Sequence, residues 1–197
     1  MKNMNLSKSE LIFKSDTHEY FIGKKRIPSV SEILKKVGLS KDYSQIDPFF
    51  RDRGIATHKC IELHLKGILD EKSIDLSVLP SFQAFLAYWK GHCDPTLCTE
   101  GILAFEKPMA DKAGLFAGTP DLVTDRAIYD WKCSKSHDHA AELQGAAYQS
   151  LAMDNGFPFL PFIIVELHDD GTFAEFICPD NHRQWEAVLM LYHWRMR

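Results

Sequence analysis

The residues with the clearest chemical potential lie in the sequence Ile-Tyr-Asp-Trp-Lys at positions 128–132. Successive side chains of a β-strand point to opposite faces, so Asp130 and Lys132 share one face while Tyr129 and Trp131 share the other. One face is therefore expected to pack against the core, and the other to present a carboxylate beside an ammonium group. An ordinary surface ion pair would give the same pattern, so this segment alone does not define a site.

A second carboxylate occurs in the preceding apolar segment, Gly-Thr-Pro-Asp-Leu at positions 118–122. A short turn near Asp125 joins the two segments, which predicts a hairpin with Asp121 and Asp130 close together across it. Two neighbouring carboxylates repel each other unless a proton or a cation compensates their charge. We therefore expect a hard divalent cation at this pair of aspartates.

Two pairs of polar residues with a spacing of four lie on predicted helices to either side of these segments. His58 and Glu62 share a face of a helix before the sheet, and Gln144 and Tyr148 share a face of a helix after it. A lone helical histidine is usually a core or surface residue. Beside a sheet with two carboxylates, the His/Glu pair is better explained as part of a site. The glutamine–tyrosine pair means little by itself.

The elements that must position these residues are marked by caps, turns and hydrophobic patterns. Ser29 with Glu32 predicts a capping box, and Asp47 before Pro48 predicts the start of a longer helix. We predict a hairpin (10–13 and 20–22), helices (29–37, 47–66, 80–91, 138–155 and 181–195), three successive strands (97–109, 115–123 and 127–133) and a second hairpin (159–167 and 172–178). This order predicts one α/β (or α+β) domain with a mixed sheet.

The composition is that of a soluble globular domain, with 197 residues, 45% hydrophobic and 25% charged. No apolar run is long enough to span a membrane, and the first ten residues lack the apolar core of a signal peptide. The five cysteines are scattered and form no CxxC pair, which indicates a reducing compartment without a disulfide framework. We expect a cytoplasmic protein that does not contact membranes.

The charge distribution is uneven along the chain. Residues 1–60 contain 12 Lys/Arg and 7 Asp/Glu, a formal charge of +5, whereas residues 61–197 contain 11 and 20, a formal charge of −9. A basic end beside a carboxylate-rich remainder suits a protein that binds a polyanion at one edge and a cation at its centre. Ordinary solvated charge would give the same counts.

Taken in order, four short motifs resemble the PD-(D/E)xK nuclease superfamily, in particular its RecB-like and lambda-exonuclease-like exonuclease branch. They are GxxxH (54–58), GTPD (118–121), DWK (130–132) and QxxxY (144–148), with looser similarity at 18–20 and 28–31. Each motif is weak alone, but four in this order and spacing are specific. The resemblance implies a restriction-endonuclease-like core, a central mixed sheet flanked by helices, at 47–197, with an N-terminal hairpin and helix extension at 1–46.

The resemblance also implies a role for each matching residue. Mg²⁺ or Mn²⁺ would be bound by Asp121, Asp130, His58 and the backbone carbonyl of Trp131. Lys132 would orient and help to deprotonate the attacking water, or stabilise charge on the phosphate. Gln144 and Tyr148 would support the site and touch the nucleic-acid backbone, Glu106 would act beside the ligands or at a second metal, and Glu62 would support them from behind. The predicted nucleic-acid contacts are Lys35, Lys36, Arg51, Arg53 and Lys135.

The function predicted from this resemblance is metal-dependent hydrolysis of DNA, by an exonuclease acting on linear or single-stranded DNA in recombination, repair or replication. The host would be a bacterial or phage-infected cell, and a single-strand-binding or annealing protein would suit as a partner. No iron–sulfur cluster is expected, because three clustered cysteines after the core are absent from the sequence. The alternatives are a structure-specific endonuclease, a catalytically silent nucleic-acid-binding module, and an Fe(II) oxygenase, which Lys132 and the lack of a second suitably spaced histidine disfavour.

Overall fold

The computed structural model describes residues 10–40, 47–92, 101–133 and 138–197. Its elements are β1 (Leu11–Lys14), β2 (Glu19–Ile22), β3 (Lys25–Ile27), α1 (Val30–Val37), α2 (Pro48–Leu65), α3 (Leu79–His92), β4 (Ile102–Phe105), β5 (Met109–Ala110), β6 (Ala117–Gly118), β7 (Leu122–Thr124), β8 (Ile128–Lys132), α4 (His139–Asp154), β9 (Phe162–Leu167), β10 (Phe173–Ile177) and α5 (His182–Arg195). A 3-10 turn, Glu71–Ser73, lies between α2 and α3. None of the helices described here combines the length and apolar character that a membrane span requires.

The strands form a central mixed sheet and two small antiparallel sheets. The central order is β10-β9-β8-β7-β4, in which β8 and β9 are parallel and the other neighbours are antiparallel. The small sheets are the meander β1-β2-β3 and the pair β5-β6. The predicted α+β class with a central mixed sheet flanked by helices is confirmed, and the N-terminal hairpin gains a third strand, β3.

The sheet separates two hydrophobic clusters that hold the helices in place. On one face, α1, α4 and α5 pack on side chains that include Ile128 of β8. On the other face, α2 and α3 pack on Tyr129 and Trp131 of the same strand. The side chains of β8 alternate between the two faces as predicted: Lys132 contacts Gln144 of α4 on the first face, and Tyr129 and Trp131 lie on the second.

Two predicted strands, 97–109 and 115–123, are wrong as continuous elements. The second divides into β6 and β7 because Pro120 has no N–H for a ladder and the two parts pair with different strands, β5 and β4. In the first, β4 ends before Glu106, whose φ of 39° lies in the left-handed region that a strand does not continue. Residues 97–100 lie outside the described residues. Both interruptions carry predicted site residues.

The helices that carry site residues begin where the sequence predicts. The Asp47 carboxylate accepts a hydrogen bond from the Phe49 amide at 2.9 Å, and Pro48 is the first residue of α2. The Asp138 carboxylate accepts one from the Ala141 amide at 3.0 Å at the start of α4. These starts fix the residues of each helix that face the sheet.

The predicted capping box of α1 is present only in part. The Ser29 hydroxyl accepts a hydrogen bond from the Glu32 amide at 3.0 Å, and Gly38 ends the helix with a φ of 84°. The Glu32 carboxylate, however, pairs with Arg26 at 2.8 Å. The glutamate therefore ties α1 to β3 rather than to its own N-terminus.

Candidate metal centre and its surroundings

The hairpin of β7 and β8 brings the two predicted aspartates to one end of the central sheet. The register pairs Leu122 with Tyr129, so Asp121 and Asp130 follow as the next opposed positions. The Oδ2 atom of Asp121 accepts a hydrogen bond from the Trp131 amide at 2.8 Å. This contact ties the Asp121 carboxylate to the neighbouring strand, and the predicted hairpin is confirmed.

Helix α2 places a histidine beside Asp121. His58 lies on α2 one turn before Ile61, which is buried in the core and holds that face of the helix against the sheet. The Nδ1 atom of His58 is 3.2 Å from Oδ1 of Asp121. Only 27% of the His58 side chain and 11% of the Asp121 side chain are exposed, so the pair is largely shielded from water.

Glu106 joins these two residues from the end of β4. Its amide donates a hydrogen bond to the backbone oxygen of Asp121 at 3.0 Å, and its left-handed φ turns the chain out of the strand. One ligand atom each of His58, Glu106 and Asp121 lies within 4.8 Å of the others. Strained backbone is common at functional sites, where the surrounding structure holds it in place. We call these three residues the metal cluster.

The three residues of the metal cluster shift one another's pKa values. Burial and the nearby Asp121 carboxylate raise the pKa of Glu106 to about 7. Burial disfavours the charged form of His58, but attraction to Asp121 outweighs it and raises the pKa of His58 to about 9. Burial also opposes ionisation of Asp121, yet His58 holds the pKa of that carboxyl below its ordinary value. The protonated imidazole of His58 therefore offsets part of the carboxylate charge in the cluster.

The donor set of the metal cluster fits the predicted cofactors. Two carboxylates and one imidazole suit Mg²⁺ or Mn²⁺, and the nitrogen favours Mn²⁺. The imidazole must lose its proton before it can bind a metal, so metal binding would release protons. Among the predicted ligands, the structure brings His58 and Asp121 together and adds Glu106 to them.

Asp130 and Lys132 lie beside the metal cluster, on the α4 face of the sheet. The Asp130 carboxylate is buried, and its Oδ2 atom is 2.6 Å from Nζ of Lys132. Burial raises the pKa of Asp130, against the opposing effect of Lys132. A metal contact by Asp130 stays a prediction, and so does one by the backbone carbonyl of Trp131, whose amide already holds Asp121.

A chain of polar contacts links Lys132 to α4. Nζ of Lys132 donates to Oε1 of Gln144 at 3.3 Å, and Nε2 of Gln144 donates to the Tyr148 hydroxyl at 3.1 Å. Burial, reinforced by Asp130, raises the pKa of Tyr148 well above its ordinary value, so its hydroxyl stays protonated. The structure thus gives the predicted QxxxY pair a contact with the predicted catalytic lysine.

Glu62 is placed differently from the residues of the metal cluster. Its two carboxylate oxygens contact the amino groups of Lys59, at 2.7 Å, and Lys66. Although burial opposes it, these hydrogen bonds lower the pKa of Glu62. Its charge still reaches the site, because it contributes to the raised pKa of Glu106. A supporting role for Glu62 stays a prediction.

The predicted nucleic-acid contacts lie in different surroundings. Lys35 and Lys36 are exposed at the end of α1, where the Lys36 carbonyl accepts a hydrogen bond from Arg195 of α5. Arg51 is 69% exposed on the first turns of α2, beside Asp52. Arg53 is only 12% exposed and is paired with Asp169 at 3.1 Å, which suits a structural role better than a phosphate contact. Lys135 lies outside the described residues.

One buried carboxylate near the site was missed by the sequence reasoning. Glu166 of β9 is opposite Lys132 in the parallel register and is 5% exposed. Its Oε2 atom is 3.4 Å from Nε2 of His168. The signal was available, because Glu166 is the sole charged residue within β9, an otherwise apolar strand.

The comparisons with known proteins give little beyond this geometry. No protein-family model matches the chain, and a search of curated proteins gives no match. Among solved structures, the chain is similar to a crystal structure from Eubacterium rectale described as "Putative exonuclease", with 15% identity, a TM-score of 0.48, and coverage of 84% of this chain and 70% of that chain. The function proposed below therefore rests on the side chains of the site.

Proposed function

We propose that this protein is a metal-dependent deoxyribonuclease of the PD-(D/E)xK type, and that it acts as an exonuclease on linear or single-stranded DNA. The observation that supports the proposal is the convergence of His58, Glu106 and Asp121 beside the Asp130–Lys132 pair at one end of the sheet. Carboxylates that bind a divalent cation, with a fixed ammonium group beside them, are the set that metal-assisted phosphodiester hydrolysis needs.

The metal would be held by His58, Glu106 and Asp121, and it would supply a Lewis acid together with a bound water of lowered pKa. The cluster favours such an ion because its two partly buried carboxylates, which repel each other, would gain attraction from a divalent charge that replaces the protons of the cluster. Asp130 would add a further oxygen ligand, as the sequence predicts.

Lys132 is the residue to which we assign the reacting phosphate. Its ammonium group is held by the Asp130 carboxylate at 2.6 Å and by Gln144 at 3.3 Å, so its position is fixed before substrate binds. A pre-positioned cation stabilises negative charge that develops in the transition state without a further cost of reorganisation. Gln144 and Tyr148 would hold Lys132 in place and contact the DNA backbone.

The test is cleavage of end-labelled linear single- and double-stranded DNA and of closed circles, with Mg²⁺, Mn²⁺ or EDTA. We expect metal-dependent loss of linear DNA and intact circles. Lys132→Ala should abolish cleavage, while the matched control Lys112→Ala should not, because Lys112 is a 73% exposed residue paired with Asp154.

Each alternative has its own signature in this assay. Cut circles would replace the exonuclease proposal with the endonuclease alternative. DNA binding without cleavage in either metal would contradict catalysis and favour the silent binding module. Cleavage that survives Lys132→Ala unchanged would show that the reacting groups lie elsewhere.

A further inference from the structure

Tyr20 of β2, a buried side chain, connects the N-terminal sheet with the segment that precedes Asp121. Tyr20 is 1% exposed, and its hydroxyl is 2.8 Å from Oγ1 of Thr119. Thr119 belongs to the three-residue interruption between β6 and β7, and it stands two positions before Asp121. The hydrogen bond therefore joins the N-terminal sheet to the segment that presents a proposed metal ligand.

The segment before Thr119 is fixed from two sides. The Ala117 amide donates a hydrogen bond to the backbone oxygen of Pro28 at 2.9 Å. At Gly118, an added Cβ would lie 2.6 Å from the ring of Tyr148, so only glycine allows α4 to approach so closely. After Gly118, Pro120 cannot donate to a ladder. A side-chain contact at Thr119 is thus well placed to fix the remaining part of the segment.

The Tyr20 hydroxyl is itself held in a fixed position. The Phe13 ring stacks on the Tyr20 ring with centroids 4.8 Å apart, and Nε2 of His18 lies 3.3 Å from the hydroxyl. His18 has a φ of 52°, a left-handed conformation in the turn between β1 and β2. Burial, with a smaller effect of the Glu106 carboxylate, raises the pKa of Tyr20 to about 12, so the hydroxyl keeps its proton.

We propose that Tyr20 is a positioning residue of the metal centre, whose hydroxyl fixes Thr119 and thereby holds the Asp121 carboxylate toward His58 and Glu106. The inference rests on the proposed function, since it concerns the same metal cluster. On this inference the N-terminal sheet contributes to the geometry of the metal centre.

The experiment compares Tyr20→Phe with wild type in Mn²⁺ binding, followed by paramagnetic resonance, and in cleavage kinetics. The hydroxyl acts through a metal ligand, so we expect about 10- to 100-fold weaker Mn²⁺ binding and a lower kcat, with KM for DNA unchanged. Tyr88→Phe is the matched control, because Tyr88 is equally buried and its hydroxyl donates to Glu175 at 2.6 Å, away from the cluster. It should lose stability without losing Mn²⁺ affinity.

Variants of the partner make the test independent of whether Tyr20→Phe folds. Thr119→Val, which lacks the hydroxyl, should show the same loss of Mn²⁺ affinity, whereas Thr119→Ser, which keeps it, should bind Mn²⁺ like wild type. The double variant Tyr20→Phe/Thr119→Val should bind Mn²⁺ no more weakly than either single variant. If wild type binds Mn²⁺ and cleaves DNA while Tyr20→Phe and Thr119→Val behave like Tyr88→Phe, the inference is overturned and the proposed function stands. If wild type neither binds Mn²⁺ nor cleaves, both fail.

Discussion

Two glutamates near helix α2 have opposite electrostatic environments. Glu62 is contacted by the amino groups of Lys59 and Lys66, and its pKa is lowered. Glu106 lies beside Asp121 and is partly buried, and its pKa is raised to about 7. The Glu62 carboxylate is thus compensated by lysines within one helical turn, while the Glu106 carboxylate is disfavoured in its charged form by burial and by Asp121.

The two environments distinguish a carboxylate that takes part in ion pairs within the protein from one that is available to bind a ligand. An ion pair with exposed lysines contributes little to stability, and a carboxylate in such a pair needs no bound cation to balance its charge. A partly buried carboxylate with a raised pKa, such as Glu106, carries a free-energy cost in its charged form that a bound cation would relieve, and such perturbed groups concentrate at functional sites. We therefore assign the proposed metal to Glu106 rather than to Glu62.

The largest effect is expected at Asp121, which contacts both other members of the cluster. Asp121→Asn keeps the shape of the side chain but removes its charge, so we expect cleavage to fall by more than about 100-fold, beyond the loss typical of residues behind the ligands. Asp125→Asn, in the exposed turn of the same hairpin, is the control. Equal activity of the two variants in the DNA assay would show that the cluster is not catalytic.

The comparison of the two glutamates is tested by Glu106→Gln and Glu62→Gln. We expect Glu106→Gln to weaken Mn²⁺ binding by about 10- to 100-fold, because it removes a proposed ligand. Glu62→Gln should change the affinity much less, because its oxygens already contact two lysines. Calorimetric titration with Mn²⁺ measures both, and a larger loss in Glu62→Gln would reverse the assignment.

The pH dependence of stability should reflect the protons held by the cluster. In the folded chain the pKa of His58 is raised from 6.5 to about 9, and that of Glu106 from 4.5 to about 7. Groups with raised pKa values stabilise the fold below their ordinary pKa, and this contribution is lost as the pH rises through the folded values. The Tm of the metal-free protein should therefore fall between about pH 5 and pH 9.

Adding Mg²⁺ or Mn²⁺ should reverse that fall at high pH, where the ligands are deprotonated and the cation replaces the lost protons. Thermal melts in EDTA and in excess metal across this pH range measure both effects. A metal-free Tm that is flat or rising over the upper half of the range would mean that the cluster does not hold these protons.

Much of this arrangement could be predicted from local sequence patterns. The starts of α2 and α4 follow from Asp47 and Asp138, because a side-chain cap is a local interaction. The pairing of Asp121 with Asp130 follows from a short turn and the two-residue period of a strand. Both depend on neighbours within about ten positions along the chain.

The features that the sequence does not predict depend on backbone conformation and on contacts between segments far apart in the chain. The left-handed φ of Glu106 gives no local sequence signal, because glutamate has no special preference for that region. The bond between Tyr20 and Thr119 joins residues 99 positions apart, which no periodicity reports. The burial of Arg53 against Asp169 is equally non-local, and its exposed neighbour Arg51 could not be told from it by residue type.

The smallest expected effect concerns the lysines that compensate Glu62. Their side chains are 59% and 40% exposed, for Lys59 and Lys66 respectively, so replacing either with alanine should cost only about 0.2–1 kcal/mol in the free energy of unfolding. Mn²⁺ affinity should stay within about threefold, because solvent and salt screen exposed charges. Urea unfolding and Mn²⁺ titration of both variants test this. If either replacement weakened Mn²⁺ binding as much as Glu106→Gln, the two glutamates would be electrostatically coupled. The distinction between Glu62 as an ion-paired carboxylate and Glu106 as a metal ligand would then be wrong.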